Sequence, residues 1–165
     1  MLSSTNNWLP LRFETVKDGG YGELIEMMKQ EERDYIELAT ALEQITWQEF
    51  EELFSKIGEV RTIYLGQENA GFFWIEERGR VLHLHGLILK PEFQKRGIGG
   101  EVLRRLAQSY RNELDVIQSG VHETNQKGLI FFIKEGFFKL DNESDHGFII
   151  LQKPLGGMER EDFGI

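Results

Sequence analysis

The chain contains no cysteine among its 165 residues. Disulfides, thiolate metal sites and a cysteine nucleophile are therefore excluded, and the fold must stand on packing alone. Long apolar runs are missing too: none approaches the roughly 20 residues needed to cross a bilayer. Residues Met1 to Asn7 lack the basic segment followed by an apolar one that marks export. A cytoplasmic protein with no membrane partner is the expectation. Neither internal repeats nor low-complexity segments interrupt the chain. What is present is a 40% hydrophobic content with 12% aromatics, enough at this length for one continuous core. The expected organisation is a flexible N-terminus over 1–10, a single domain over 11–155 and a loose tail over 156–165.

Charge is unevenly spread within a net −9. Residues 1–60 hold five basic side chains against thirteen acidic ones, whereas residues 90–112 hold six basic (Lys90, Lys95, Arg96, Arg104, Arg105, Arg111) against two acidic. Nucleic acid would be repelled by most of such a surface, but a compact anion can settle on the basic patch.

Leu11 to Val16 alternates as a half-buried strand does. Two helical stretches follow, Tyr21 to about Glu32 and a second through Ile45. A third runs from Thr46 to Lys56, with Thr46 and Glu49 spaced as a capping box and Trp47, Phe50, Leu53 and Phe54 on the expected buried face. From Glu59 the period becomes that of extended chain. Strands are expected at 61–65, 71–76 and 81–89, separated by turns at Gln67-Glu68-Asn69 and Glu77-Arg78-Gly79. A helix from Gly97 to about Asn112 presents Ile98, Val102, Leu103, Leu106 and Tyr110 as one stripe. After it come a strand at 115–122, a helix at 125–135, and a hairpin of 137–140 with 148–152 across Asn142-Glu143-Ser144-Asp145.

The informative segment runs Leu87-Ile88-Leu89-Lys90-Pro91-Glu92-Phe93-Gln94-Lys95-Arg96-Gly97-Ile98-Gly99-Gly100, from a strand through a turn into a helix. A pyrophosphate needs converging backbone N–H groups, which an open helix N-terminus supplies along with the positive end of its dipole. Glycines at 97, 99 and 100 allow the main chain to come close, and Lys95 and Arg96 add charge at the rim. Taken alone, the same pattern is also that of a tight turn entering a helix. It is not a P-loop, which ends in Gly-Lys-Ser or Gly-Lys-Thr. Nor is it the dinucleotide fingerprint, which places Gly-x-Gly-x-x-Gly directly after a strand.

A second segment, Asn125-Gln126-Lys127-Gly128-Leu129-Ile130-Phe131-Phe132-Ile133-Lys134-Glu135-Gly136-Phe137, sets Asn125, Gly128 and Phe132 at i, i+3 and i+7 on one helix face. An amide, a gap and an aromatic ring in that order suit a pantetheine arm. An ordinary core helix closed by Gly136 would read the same way.

Together the two segments resemble the GNAT superfamily of acetyltransferases. Gln94-x-x-Gly97-x-Gly99 matches its pyrophosphate-loop signature, and Asn125 through Phe137 matches its Asn-x-x-Ala-x-x-Phe-Tyr-x-Lys-x-Gly-Phe pattern. The resemblance covers residues 81–140 firmly and the rest through the order of elements. It implies an α/β fold with a mixed, mostly antiparallel sheet whose fourth and fifth strands, residues 81–89 and 115–122, splay apart, flanked by helices. It also implies acetyl-CoA as cosubstrate, with backbone groups of Leu87, Ile88 and Leu89 along the arm and Gln94, Lys95, Arg96, Gly97, Ile98, Gly99 and Gly100 around the pyrophosphate. Asn125, Gly128 and Phe132 complete the expected cofactor site. Gly128 replaces the usual Ala, and Phe132 stands where the family often has the Tyr that protonates the leaving thiolate. A thiol with a pKa near ~8.5 leaves without strong help, so this loss slows the reaction and need not abolish it; Tyr110, Tyr64 or a water can substitute.

The acceptor amine arrives protonated and must lose a proton before it attacks. His83 lies at about the strand position where histone-type members carry a glutamate, and an unperturbed pKa of ~6.5 suits the task. His85 shares its face two residues on, and His122 is a weaker candidate. Both strand histidines can equally be polar residues bonded within the sheet. No third ligand accompanies them, so no metal site is expected. The reading is transfer of an acetyl group from acetyl-CoA to a primary amine by direct attack. The amine is expected to be cationic, either a small molecule or a basic peptide, and the protein a monomer or homodimer. The alternative is a non-catalytic acyl-CoA-binding or sensor module.

Overall fold

The computed structural model describes residues 10–17, 20–140 and 147–156. The expected loose termini, apart from Pro10 and Gly156, and the hairpin turn at 142–145 lie outside them. The described residues fall into two compact units, one within 10–74 and 86–101, the other within 75–85 and 102–156. Hydrogen bonds order the strands β1-β2-β3-β4-β5-β7-β6, giving a mixed, mostly antiparallel sheet flanked by helices. Among the described residues no helix is long and apolar enough to cross a membrane.

In the first unit β1 (Leu11–Thr15) pairs antiparallel with β2 (Glu59–Leu65), Leu11 opposite Leu65. Between them lie α1 (Tyr21–Glu31), α2 (Arg33–Glu43) and α3 (Trp47–Lys56). At the start of α3 the Thr46 hydroxyl accepts from the Glu49 N–H (3.1 Å) and the Glu49 carboxylate accepts from the Thr46 N–H (3.0 Å), the reciprocal box the sequence implies. Such a cap is worth about 1 kcal/mol. Leu53, expected on the buried face, is 37% exposed. Trp47, Phe50 and Phe54 follow at i, i+3 and i+7 and form the inward stripe, which leaves Leu53 at its edge.

α1, α3 and the strands β3 (Glu68–Arg78) and β4 (Val81–Leu89) supply one core of Leu24, Met27, Met28, Phe54, Phe72 and Trp74 with Val60 and Ile88. Phe54 meets Tyr21, Phe72 and Trp74 edge to face, with ring centroids 5.1–5.6 Å apart. Each such pair adds about 0.5–1.5 kcal/mol beyond area burial. The Trp74 indole N–H donates to the Ile57 carbonyl at 2.7 Å, so the large ring is buried without stranding its polar atom. β2 and β3 extend beyond the expected strands: the turn falls at Gly66–Gln67, and Glu68 and Asn69 already belong to β3.

In the second unit β5 (Val116–His122) runs parallel to β4 over three positions alone, Val81–His83 opposite Val116–Gln118. One residue further the Ser119 hydroxyl donates to the Leu84 carbonyl at 2.9 Å. A buried side chain thus takes over where the ladder stops, and so short a ladder fits the expected splay. β5 pairs antiparallel with β7 (Phe148–Pro154) along its whole length, and β6 (Phe138–Lys139) pairs with the other edge of β7. α4 (Ile98–Tyr110) belongs to both units, and α5 (Gln126–Lys134) to the second.

Candidate active site

The loop between β4 and α4 is built in three steps. Pro91–Phe93 forms one 3-10 turn that buries Phe93 and brings Gln94 back against β4. The Gln94 side-chain amide then donates both to the Leu89 carbonyl and to the Glu31 carboxylate, each at 2.8 Å, fixing the loop to the end of β4 and to α1. Beyond it Lys95 has φ 60° and Gly97 has φ 83°, with Arg96 between them outside that region. Alternation of this kind turns successive N–H groups toward one side, the geometry of an anion-binding nest. The first intrahelical bond of α4 runs from the Glu101 N–H to the Gly97 carbonyl (3.1 Å), so the N–H groups of residues 97–100 precede it. These groups fit a pyrophosphate.

The expected residues divide by role. Lys95, Arg96 and Gly97 are exposed, while Ile98, Gly99 and Gly100 are buried, so the last three can meet a ligand through the main chain only. The Arg96 guanidinium sits 5.4 Å above the Phe93 ring, held at the rim. Gly97 alone of the three glycines has positive φ; the left-handed position two residues earlier belongs to Lys95, which residue type did not signal.

At the end of β4, Ile88 is buried in the core and Leu87 and Leu89 are half-buried. What holds this strand end is not visible in residue type alone. The Gly71 N–H is taken by the Asn69 side chain (3.0 Å), and the Lys90 N–H donates to Ala70 (2.8 Å). A β-carbon on Gly71 would lie 2.0 Å from the Ile88 carbonyl oxygen. β3 and β4 therefore approach more closely there than any residue but glycine allows.

In the second unit the two strand histidines meet, with ring centroids 4.6 Å apart and edge to face. His85 Nε2 lies 2.8 Å from the Glu76 carboxylate. His83 Nδ1 lies 3.2 Å from the Gln118 amide nitrogen, and the Gln118 amide oxygen accepts from Gln152 at 2.9 Å. Burial pushes His83 down to about 3, helped by His85 and Arg78 and opposed by Glu76. His85 is lowered by burial as well, against the raising influence of its Glu76 hydrogen bond. The match to neutral pH expected from the ordinary histidine value thus does not survive the surroundings of His83. Glu76, Gln118 and Gln152 were not singled out from sequence; for Gln118 the signal available was a polar residue within the apolar run Val116 to Val121. His122 bonds Thr124 (2.7 Å) and packs on Phe148, closing a local turn apart from these groups.

The low His83 value has a stability consequence. Between about 6.5, the unfolded value, and about 3, the unfolded chain binds a proton there that the folded chain does not. Stability should therefore fall as pH drops through this window, by up to about 1.4 kcal/mol per pH unit, with His85 adding in the same direction. Glu59 and Glu76, held low by hydrogen bonds from Arg61 and His85, act in the same direction over a lower range: their stabilisation is present above the unfolded carboxylate value and is lost as pH falls below it. Urea titrations between neutrality and about pH 5 should show the slope, and His83→Gln should reduce it. A flat profile would contradict the buried neutral histidine.

On α5, Asn125 is the N-cap, its side-chain oxygen accepting from the Gly128 N–H at 2.9 Å. A β-carbon at Gly128 would come within 2.8 Å of the Asn125 amide nitrogen. The gap read from sequence as room for the arm is therefore occupied in part by Asn125 itself. Phe132 is 8% exposed and packs edge to face on Phe131 and Phe137, so its ring is a core ring. Among the described residues no three His, Asp or Glu side chains gather as a metal site.

A family model described as the acetyltransferase (GNAT) family matches residues 23–137. Among proteins with curated descriptions, none matches by sequence. The fold is shared with solved acetyltransferases. One from Bacillus subtilis, in complex with CoA, is 18% identical and covers 88% of this chain and 99% of its own, with a TM-score of 0.66. One from Thermus thermophilus is 20% identical over 90% and 99%, at 0.67. The PaiA N-acetyltransferase of Thermoplasma acidophilum, in complex with coenzyme A, is 20% identical over 87% and 98%, at 0.66. Since the family model spans well over half of the sequence, the chain belongs to the acetyltransferase (GNAT) family.

Proposed function

We propose that this chain transfers the acetyl group of acetyl-CoA to a primary amine by direct attack, without a covalent enzyme intermediate. The observation that carries the reading is the loop at 94–100, where alternating φ signs, an open helix N-terminus and the Lys95 and Arg96 rim suit the pyrophosphate of coenzyme A. CoA-bound relatives of the same fold support the same cosubstrate. The backbone of residues 87–89, in the first unit, is proposed for the pantetheine arm. Binding of both reactants supplies proximity, and backbone N–H groups polarise the thioester carbonyl.

The acceptor is proposed to be cationic, such as a polyamine or the amine of a basic peptide. A cavity of about 260 Å³ in the first unit is lined by Glu23, Glu26, Glu31 and Glu92, with Lys90 the single cation. Several acids of this half serve local structure: Glu49 caps α3, Glu31 holds Gln94, and Glu26 and Glu51 lie 3.7 and 3.4 Å from Lys29. Three of the cavity acids are among those engaged, Glu31 with Gln94, Glu26 with Lys29 and Glu23 with Lys90 at 3.6 Å, so the cationic reading rests on the net excess of carboxylates along the cavity, four against one. Because exposed charges are screened beyond about 8 Å at physiological salt, kcat/KM for a cationic amine should fall as salt rises while that for a neutral amine stays level. A screen in which only neutral or acidic acceptors turn over would remove the cationic reading. The buried Phe132, in place of a phenol, favours the second reading, an acyl-CoA-binding module without turnover.

A further inference from the structure

We infer that Glu31 serves both substrates of the acyl transfer proposed above, on which this inference rests: through Gln94 it holds the coenzyme loop in its anion-binding shape, and with its uncompensated charge it selects a cationic acceptor. Both residues belong to the first unit, Glu31 as the last residue of α1 and Gln94 in the loop that follows β4.

Lys95 has a β-carbon at φ 60°, a conformation that persists only where the surroundings over-determine the backbone. Gln94, directly before it, supplies that restraint. Its side-chain NH₂ has two protons to donate, and both are placed, one on the Leu89 carbonyl and one on the Glu31 carboxylate, each at 2.8 Å. The Leu89 bond reaches back five residues, to the strand from which the loop itself emerges. The Glu31 bond spans 63 residues, so it is the one that anchors the loop to a separate element. Glu31 is in this respect a positioning residue: it shapes the loop through Gln94.

Gln94 carries no charge, and a hydrogen bond from a neutral amide fixes a carboxylate without neutralising it. Of the four acids along the 260 Å³ cavity, Glu23 lies 3.6 Å from Lys90 and Glu26 lies 3.7 Å from Lys29. Glu31 and Glu92 face no cation among the described residues. Glu92 is exposed, where water and salt screen it, whereas Glu31 is half-buried and screened less. Gln94 meets one oxygen of the Glu31 carboxylate, and the other has no partner among the described residues. A carboxylate held in place with one oxygen open is preorganised for an ammonium group, so the ligand has less ordering to bring about.

Substitution separates the two duties. Glu31→Gln keeps an oxygen that can accept from Gln94 and removes the charge, while Glu31→Ala removes both. By calorimetry without an acceptor, acetyl-CoA affinity should fall about tenfold in Glu31→Ala and no more than about threefold in Glu31→Gln. Gln94→Ala should lose at least as much as Glu31→Ala, and combining the two should lose nothing further. In turnover, the ratio of kcat/KM for a cationic amine to that for a neutral one should fall about fivefold in Glu31→Gln, through KM and not kcat. The salt dependence of that ratio should become shallower as well. Parental affinity in Glu31→Ala, or additive losses in the double variant, overturns the loop duty. An unchanged amine ratio in Glu31→Gln overturns the acceptor duty. Failure of the underlying function reads differently: parental affinity in Gly97→Val removes the loop from the site whatever Glu31 does, and wild-type protein that turns over no cationic amine removes the cationic reading before any variant is made.

Discussion

Gly97→Val is expected to lower acetyl-CoA affinity at least about 100-fold while leaving the fold intact. At φ 83° a side chain with a β-carbon costs about 1–2 kcal/mol. An exposed loop escapes that cost by relaxing, and the relaxed loop no longer aims its N–H groups at one point. Hydrogen bonds to a charged group are worth about 1.5–3 kcal/mol each, so the loss of two of them reaches the stated factor. The thermal midpoint should move by only a few degrees, since the Gly97 position is exposed. Gly97 is a cleaner probe than Gly99, which is buried and whose enlargement would disturb packing as well. Lys95→Gly makes the contrast. Relieved of its left-handed strain, that variant should be at least as stable as the parent, and its affinity should fall modestly and mainly at low salt. Calorimetry finding unchanged affinity in folded Gly97→Val would remove the loop from the site.

Gly71→Ala should be the most damaging single methyl addition in the first unit. Its β-carbon would sit 2.0 Å from the Ile88 oxygen and 2.9 Å from the Leu89 α-carbon, and both are main-chain atoms that cannot turn aside. β3 and β4 must separate locally, at a cost of about 1–3 kcal/mol or more, which for a chain of this size lowers the melting temperature by roughly 3–10 °C. The displaced atoms belong to Ile88 and Leu89, part of the stretch proposed for the pantetheine arm, and on that proposal cofactor affinity should fall with stability. Gly86→Ala, on the same strand with no atom within 4 Å of the added carbon, is the control and should melt within a degree or two of the parent. Equal melting of the two variants would mean that the strands have room the structure does not show.

Local signals carried much of this architecture. The capping box at Thr46 and Glu49, the bounds of β4 and the stripe of α4 all follow from residue type at fixed spacing. Features that depend on distant partners did not. The three-residue ladder between β4 and β5, ended by Ser119, reflects pairing across more than thirty residues of chain. The insertion of β7 between β5 and β6 is likewise non-local. Lys95 in the left-handed region was hidden because glycine is the expected occupant there. The histidines were legible as residues and not as chemistry: basicity depends on what buries a ring and what bonds it, and Glu76, Gln118 and Gln152 come from three other strands. Asn125 shows the same limit, since its spacing to Gly128 suits a ligand and a helix cap equally well.

The central claim is that this chain carries out acyl transfer and does not merely hold an acyl-CoA. Incubating the purified protein with acetyl-CoA and a panel of cationic and neutral amines, while following free thiol and acetylated amine together, tests it directly. The account predicts thiol release and amine acetylation in equal amounts, dependent on the amine and lost in Gly97→Val. Tight acetyl-CoA binding without acetylation of any amine, or thiol release that proceeds equally without one, would contradict it.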